Sequence, residues 1–495
     1  MTVVSYAGWQ QRHAEQQAAV SSPPGRPLII DVDGTLLRTD LLVESLIAYL
    51  KPNTMRLAEV VGWLLRGKAN LKRRLAERVT IDVDTLPVND AVVEIAQAAA
   101  DKGRPVYLAS ASDISIIERL KSRFAFVTGV LASDGETNLK GAAKAEALKE
   151  RFPDGFDYAG DAAADIEVWR HAKEAIVVNA SSSVARRAAK VATVTATIER
   201  PSRFAGLARG LRLHQWAKNL LVFTPIVLGG QIGHLYSLML TALAFVSLGL
   251  IASSTYLIND ILDVADDRRH WSKRNRPIAS GLLGIPTAAV VACIGIAAGL
   301  AVAAYVSLEC LGVVFAYLVL TLCYSLGLKR TPLLDGMVLA ILFTSRLVLG
   351  VVAATVPPSP WLFVFSMFLF TSLSFSKRYT ELSRVIKNQG QRIAGRGYRE
   401  EDAPLVLALG VASGLGAVIM TIFYIIDDAF RQSFYGSSFW LWSFPPLVFL
   451  FICRTWLVSV RGEMSDDPVE FALRDRLSQV VLAAFVIAFV FAWLG

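Results

Sequence analysis

Beyond residue 219 the chain is dominated by apolar runs of close to bilayer length, and no other feature restricts its fold so severely. They lie near 219–231, 235–258, 286–305, 308–327, 333–356, 360–376, 403–427, 438–453 and 478–494. A run of about 20 apolar residues crosses the hydrocarbon core as a helix, and in lipid only helices or closed barrels satisfy every backbone group. The pattern predicts an all-α multi-pass transmembrane bundle of about nine helices, the first and eighth of them short. Residues 1–200 are of mixed composition, so the overall 54% hydrophobic content averages two unlike halves. The expected layout is a polar N-terminal tail over 1–26, a soluble domain over 27–200 and a membrane domain over 201–495. Met1–Val20 has no apolar core, so no cleaved signal is expected there.

The net charge of +8 could indicate nucleic acid, but the basic residues of the second half flank the apolar runs. One set of loops carries Arg268, Arg269, Lys273, Arg274 and Arg276, then Lys329 and Arg330. The same set continues with seven basic residues between Lys377 and Arg399, then Arg454, Arg461, Arg474 and Arg476. The alternate loops offer only Arg431. The positive-inside tendency predicts a cell (inner) membrane protein whose basic loops and N-terminal domain are cytoplasmic. Its C-terminus would then face the other side. The lipid bilayer is the expected partner and nucleic acid is not. Cys293, Cys310, Cys323 and Cys453 show no metal-binding spacing and lie in apolar stretches, where packing is their expected role.

In the first domain, Pro27–Ile30 reads as a buried strand running into Asp31-Val32-Asp33-Gly34-Thr35-Leu36. Two carboxylates two residues apart at a strand end project to the same side, where one can attack phosphorus while the other handles the leaving-group proton. A second strand, Pro105–Ala109, ends in Ser110, a hydroxyl placed to bind phosphate. Lys144, after Gly141, can neutralise phosphate charge, with Lys140 as its rival. A strand over Phe156–Ala159 leads to Gly160-Asp161, with Asp165 four residues on, an acidic pair suited to Mg²⁺. Ala175–Val178 supplies a further strand.

These four motifs, in order over about 150 residues, resemble the haloacid-dehalogenase-like phosphatase superfamily. The resemblance implies an α/β doubly wound parallel sheet with a helical cap inserted over about Leu41–Ala100. It makes Asp31 the nucleophile and Asp33 the acid/base. Ser110 and Lys144 would hold the phosphate, and Asp31, Asp161 and Asp165 would hold Mg²⁺. The competing reading is a retained but inactive fold used for docking.

Where the run 235–258 would meet water stands Asn259-Asp260-Ile261-Leu262-Asp263-Val264-Ala265-Asp266-Asp267, followed by Arg268, Arg269, Lys273, Arg274 and Arg276. In a continuing helix, Asn259, Asp263 and Asp267 share one face with Asp260 beside them. Such an array needs a positive partner, and a divalent cation bridging to a diphosphate answers it. A solvated helix cap is the plainer alternative. Arg346, deep within an apolar run, is a further functional candidate because a charge there is costly.

The Asn259–Asp267 stretch resembles the first aspartate-rich motif of the UbiA superfamily of intramembrane transferases, a likeness extending over most of 205–495. Prenyltransferases of that superfamily carry a second Asp-x-x-x-Asp pair in a later loop. Here the loop 377–402 has Lys377, Arg378 and Tyr379 with Glu381 instead. Basic groups in place of an acidic arm suit a donor with an additional phosphate monoester. These residues, with Leu213-His214-Gln215-Trp216, Lys218-Asn219 and Asp466-Asp467-Pro468, resemble the phosphoribosyltransferase branch that acts on polyprenyl phosphates.

That resemblance implies that phosphoribosyl pyrophosphate and a polyprenyl phosphate are the substrates. Asn259, Asp260, Asp263 and Asp267 would hold Mg²⁺ on the donor's pyrophosphate. Lys218, Lys273, Arg276, Lys329, Arg346, Lys377, Arg378 and Tyr379 would bind substrate. The product keeps a 5-phosphate that the first domain could remove. The alternatives are a prenyltransferase acting on an aromatic acceptor, and a membrane scaffold with an inactive phosphatase-like domain.

Overall fold

Strand β1 (Leu28–Asp31) is apolar on both sides because both faces of its sheet are covered. Leu28 and Ile30 join one buried cluster with Val106, Leu108 and Ile117. Ile29 joins the other, with Ala109, Leu148, Tyr158 and Trp169. The computed structural model describes residues 25–199, 202–387, 397–431, 435–464, 471, 472 and 474–494. Most of the tail 1–26, together with Arg392, Arg396 and Asp466-Asp467-Pro468, lies outside the described residues.

The chain divides into two units, Met1–Leu207 with Asp260–Ala288, and Ala208–Asn259 with Ala289–Gly495. The first is built on six parallel strands in the order β3-β2-β1-β4-β5-β6. These are β1, β2 (Val106–Asp113), β3 (Val127–Ser133), β4 (Asp157–Gly160), β5 (Glu174–Val178) and β6 (Thr193–Ile198). Strand order reverses beside β1, so a crevice opens at the carboxyl ends of β1 and β4, where doubly wound sheets place their sites. Between β1 and β2 come the cap helices α1 (Leu41–Leu50), α2 (Leu57–Leu65) and α3 (Lys68–Arg78), then α4 (Asp90–Asp101). Asp40 caps α1, its carboxylate accepting from Leu42 N and Val43 N. Helices α5 (Ile114–Lys121), α6 (Ala142–Arg151) and α7 (Ser182–Val191) complete the layers.

The second unit is helical. Its long helices are α8 (Leu235–Leu262), whose last three residues belong to the first unit, α10 (Ile285–Val306), α11 (Leu308–Leu326) and α12 (Leu334–Ala354). They continue with α13 (Pro360–Lys387), α14 (Ala403–Asp427), α15 (Phe444–Arg461) and α16 (Arg476–Leu494). The six-residue α9 (Val264–Arg269) lies between α8 and α10. Seven of these helices are long and apolar enough to cross a membrane, and α13 is an eighth long helix. The protein is an integral membrane protein.

The expected first span near 219–231 takes another form, a 3₁₀ helix over Leu213–Phe223 followed by Thr224–Leu228 in α form. A 3₁₀ helix rises about 2.0 Å per residue against about 1.5 Å for an α-helix, so the two pieces reach about 30 Å. Three of the four cysteines, Cys293, Cys323 and Cys453, are exposed on their helices; only Cys310 packs internally as expected.

Candidate active sites

The first site gathers at the carboxyl ends of β1, β2 and β4. Asp31 ends β1, and Lys144 from α6 reaches it with Nζ 2.5 Å from Oδ1. Lys144 also donates to the Ala109 carbonyl at 3.2 Å and to Tyr158 Oη at 3.1 Å. Tyr158 passes the chain on to Asp165 Oδ1 at 2.8 Å. The other oxygen of Asp165 accepts from Asp161 N and Ala162 N, which fixes the turn after β4. Carboxylate oxygens of Asp31, Asp161 and Asp165 lie within 4.8 Å of one another. Lys140 is exposed, so of the two rival lysines it is Lys144 that stands in the cluster.

Gly34 has φ +85°, and a Cβ there would come within 2.9 Å of Asp161 Cγ. The turn that brings β1's second carboxylate over the sheet therefore needs a residue without a side chain. Asp33 Oδ1 accepts from Leu41 N at 2.8 Å, and Oδ2 from Ser112 Oγ at 2.8 Å and Ser110 Oγ at 3.2 Å. Ser110 thus bonds Asp33 from within β2, which runs on to Asp113 rather than ending at Ser110. Lys72, from α3 of the cap, donates to the Ala111 carbonyl at 2.6 Å and to Asn138 Oδ1 at 2.8 Å.

Burial sets the protonation of this cluster. It drives the Asp31 carboxyl upward, opposed by the charge of Lys144. The Lys144 ammonium is held above the usual lysine range, because its attraction to Asp31 and Asp165 outweighs its own burial. Burial and the charge of Asp40 raise Asp33. Asp161 is pushed up to about 7 by burial and by the neighbouring Asp165. A raised carboxyl that retains hydrogen-bond donors is suited to proton transfer near neutral pH. A cavity of about 230 Å³ opens beside Asp33 and Asp161, closed on its far side by Gly281, Leu282 and Ile285 of the same unit.

The aspartate-rich stretch is not one continuous helix. The α8 helix ends at Leu262, Asp263 sits at the break with φ −98° and ψ 7°, and α9 starts at Val264. The expected single face is thereby replaced by a turn that brings Asp260 and Asp267 to one guanidinium. Arg276 Nη1 lies 3.0 Å from Asp260 Oδ1 and 2.7 Å from Asp267 Oδ2. Burial raises the Asp267 carboxyl, with Arg276 opposing. Asp263 turns elsewhere, its Oδ1 standing 3.8 Å from Lys51 Nζ. Among the described residues, Asp260, Asp263 and Asp267 do not form a carboxylate triplet as tight as that of Asp31, Asp161 and Asp165. Arg268, buried, pairs with the buried Glu44 of α1 at 2.6 Å. Lys273 is exposed in the following turn, and Asn259 is half-buried on α8.

In the second unit, the segment opening with Lys377 is not a loop. It continues α13 to Lys387, which sets Arg378 and Glu381 three residues apart on one helix. Arg378 Nε lies 2.6 Å from Asp335 Oδ2 and Nη1 2.5 Å from Glu381 Oε2. Tyr398 donates to the other oxygen of Asp335 at 2.5 Å. Asp335 is fully buried and Arg378 nearly so. The guanidinium expected to contact substrate therefore spends much of its donor capacity inside the protein. Its neighbours Lys377 and Tyr379 are half-buried, and Tyr379 packs edge-on against Trp456.

Arg346 is also buried. Its Nε donates to Asn219 Oδ1 at 3.0 Å and its Nη2 to Tyr317 Oη at 3.2 Å, with a further bond to the Leu342 carbonyl. These partners explain how a charge is tolerated inside an apolar helix. Lys218, beside Asn219, and Lys329, in the 3₁₀ turn Leu328–Arg330, are both half-buried. Sequence reasoning did not single out Ser112, Tyr158 or Lys72, and it noted Glu381 beside Arg378 without the buried Asp335 that completes the pair. Ser112 was accessible from its position two residues beyond Ser110; the others required the tertiary fold.

The model of the UbiA prenyltransferase family matches residues 220–473. The chain is 36% identical over 469 residues to the protein y4nM of Sinorhizobium fredii, a match covering 94% of this chain and 91% of that protein. It is 31% identical over 286 residues to the decaprenyl-phosphate phosphoribosyltransferase of Mycobacterium tuberculosis, covering 57% of this chain and 92% of that one. The first unit is similar to a solved structure of a phospho-aspartyl intermediate analogue of phosphoserine phosphatase. That likeness has 18% identity and a TM-score of 0.27, covering 36% of this chain and 94% of that chain.

Proposed function

The chain belongs to the UbiA prenyltransferase family, and on that premise we propose that it moves 5-phosphoribose from phosphoribosyl pyrophosphate to a polyprenyl phosphate at the cytosolic membrane face. The observation that carries the reading is the 31% likeness, over nearly the whole length of that relative, to a decaprenyl-phosphate phosphoribosyltransferase. The Lys377-Arg378-Tyr379 segment, where an acidic pair would suit a prenyl diphosphate, supports the same donor.

In this reading Asp260 and Asp267 engage the pyrophosphate end of the donor, and Asn259 and Asp263 are proposed as further oxygen donors to the metal there. Arg276, already between the two carboxylates, contributes a guanidinium to the departing pyrophosphate. The bond from ribose C1 to pyrophosphate breaks as a lipid phosphate oxygen bonds to C1. Lys273, Lys377, Lys329 and Lys218 are the cations proposed to hold the remaining phosphates. Arg378 acts by fixing the helix that carries Lys377 and Tyr379, because Asp335 and Glu381 occupy it. Arg346 holds Asn219 beside Lys218 in the same manner.

The first unit is proposed to remove the 5-phosphate of the product. An Asp31 oxygen attacks phosphorus, the bond from phosphorus to the ribose oxygen breaks, and Asp33 gives that oxygen its proton. Water then cleaves the aspartyl phosphate, with Asp33 taking the water proton. Ser110 and Ser112 orient Asp33, and Lys144 holds Asp31 and neutralises phosphate charge. Asp31, Asp161 and Asp165 offer an all-oxygen donor set of the kind a hard divalent cation takes, and Asp260 with Asp267 offers two more carboxylates. When bound, Mg²⁺ would neutralise phosphate charge at each site.

Purified protein in lipid nanodiscs, given phosphoribosyl pyrophosphate labelled in the ribose together with polyprenyl phosphate, is expected to yield a labelled lipid. No labelled lipid, with turnover of a prenyl diphosphate onto an aromatic acceptor, would establish the family's other chemistry instead.

A further inference from the structure

Helix α2 of the cap leaves an apolar face uncovered. Leu57, Val61, Leu64 and Leu65 fall at i, i+4, i+7 and i+8, one stripe of a helix, and are 54%, 49%, 47% and 84% exposed. Met55, just before the helix, is 84% exposed. The opposite face is anchored to the unit. Val60 is buried, and Trp63 packs on Tyr49 with ring centroids 5.1 Å apart. The stripe is thus held outward by its own packing.

Two observations identify what covers it. The first is charge: residues 51–78 carry eight basic side chains against two acidic ones, with the exposed Arg66 and Lys68 at the end of the stripe. An apolar face rimmed by Lys and Arg is the pattern of a helix lying in the surface of an anionic bilayer. The second is position. Lys51 Nζ, six residues before α2, lies 2.7 Å from Asp266 Oδ2 and 3.8 Å from Asp263 Oδ1. Asp263 directly follows Leu262, the end of a 28-residue helix apolar enough to cross the membrane. The start of α2 is therefore tied to a point one residue beyond a membrane helix end.

We propose that α2 docks on the bilayer, its Leu57–Leu65 stripe seated at the boundary between headgroups and acyl chains, with the exposed Arg66 and Lys68 on anionic lipid headgroups. The occupant is lipid, rather than a second copy of the chain or a soluble partner. The cap is thereby held against the membrane surface. The docking itself is independent of which reaction either site performs.

The test uses the full chain with Cys293, Cys310, Cys323 and Cys453 replaced by Ala and one environment-sensitive fluorophore on Leu64→Cys or, separately, Leu65→Cys. Arg186→Cys, on the exposed face of α7, is the reference position. In nanodiscs containing phosphatidylglycerol, both α2 labels are expected to emit blue-shifted from the reference. Lipids spin-labelled near the headgroup should quench them about twofold, as suits a face buried about 5–10 Å. The quenching should weaken when phosphatidylcholine replaces phosphatidylglycerol. Emission as water-like as that of Arg186→Cys at both positions would overturn the proposal. A blue shift without quenching by lipid would overturn it too, since protein would then be the cover.

Discussion

Replacing Arg378 with Met is the sharpest test of how the second unit holds its basic segment. The substitution removes the cation between Asp335, fully buried, and Glu381, whose side chain is 26% exposed. Removing one partner of a buried ion pair costs about 3–5 kcal/mol, because the remaining charge stays desolvated. The Glu381 end of the clamp is partly solvated, so its share is nearer ~0.5–1 kcal/mol. Most of the loss is then assigned to Asp335, which keeps its bond from Tyr398. The total, about 3.5–6 kcal/mol, is a large part of the ~5–15 kcal/mol that usually separates folded from unfolded protein.

Unfolding of the nanodisc-reconstituted protein by titrated denaturing detergent reads this loss. The double variant Arg378→Met with Asp335→Asn removes the stranded charge yet keeps an acceptor for Tyr398. It should recover stability relative to the single variant, with a coupling of about 1–3 kcal/mol. A single-variant loss below about 1 kcal/mol, or strictly additive effects, would refute the assignment of Arg378 as a buried structural clamp.

Further expectations concern the two sites. Lys144→Met should lower phosphate-monoester hydrolysis by about 10²–10³-fold while the protein remains folded, since it removes a preorganised cation at the phosphate; a near-normal rate would remove Lys144 from the site. Asp260→Asn should abolish labelled-lipid formation without slowing monoester hydrolysis, and loss of both would point to a structural defect. Asp161, raised to about 7, binds its proton more tightly in the folded, metal-free protein than when unfolded. Its contribution to metal-free stability therefore declines as pH rises from about 4 to about 7. Mg²⁺ must displace that proton, so the thermal protection it gives should grow between pH 5.5 and 7.5, by up to about tenfold in affinity per pH unit below the raised pKa. Protection independent of pH would mean that Asp161 is not a ligand.

Much of the architecture was legible from local pattern. The apolar strands β1, β2, β4 and β5 stood out because they are buried on both faces, while β3 and β6 escaped notice as sheet edges. β6 in particular alternates exposed and half-buried residues, Thr193 through Ile198, with no apolar run. The carboxylates Asp31, Asp33 and Asp161 were readable because they lie at or just beyond strand ends, and Asp165 because it stands four residues on in the turn that follows β4. The aspartate-rich stretch was less so. Helical spacing placed Asn259, Asp263 and Asp267 on one face, but the break at Asp263 sends Asp260 and Asp267 to Arg276. Arg378 illustrates the same limit, since Asp335, 43 residues away in sequence, decides where its charge is spent.

In the proposed sequence of reactions the membrane site makes a 5-phosphorylated ribosyl lipid and the first unit dephosphorylates it. Mass spectrometry of lipids formed by the wild-type protein and by Asp31→Asn, each given phosphoribosyl pyrophosphate and polyprenyl phosphate, tests it most directly. The wild type should yield polyprenyl-phosphoryl-ribose, and Asp31→Asn the same lipid heavier by one phosphate. Identical products from both proteins, or no ribosylated lipid from either, would contradict the account.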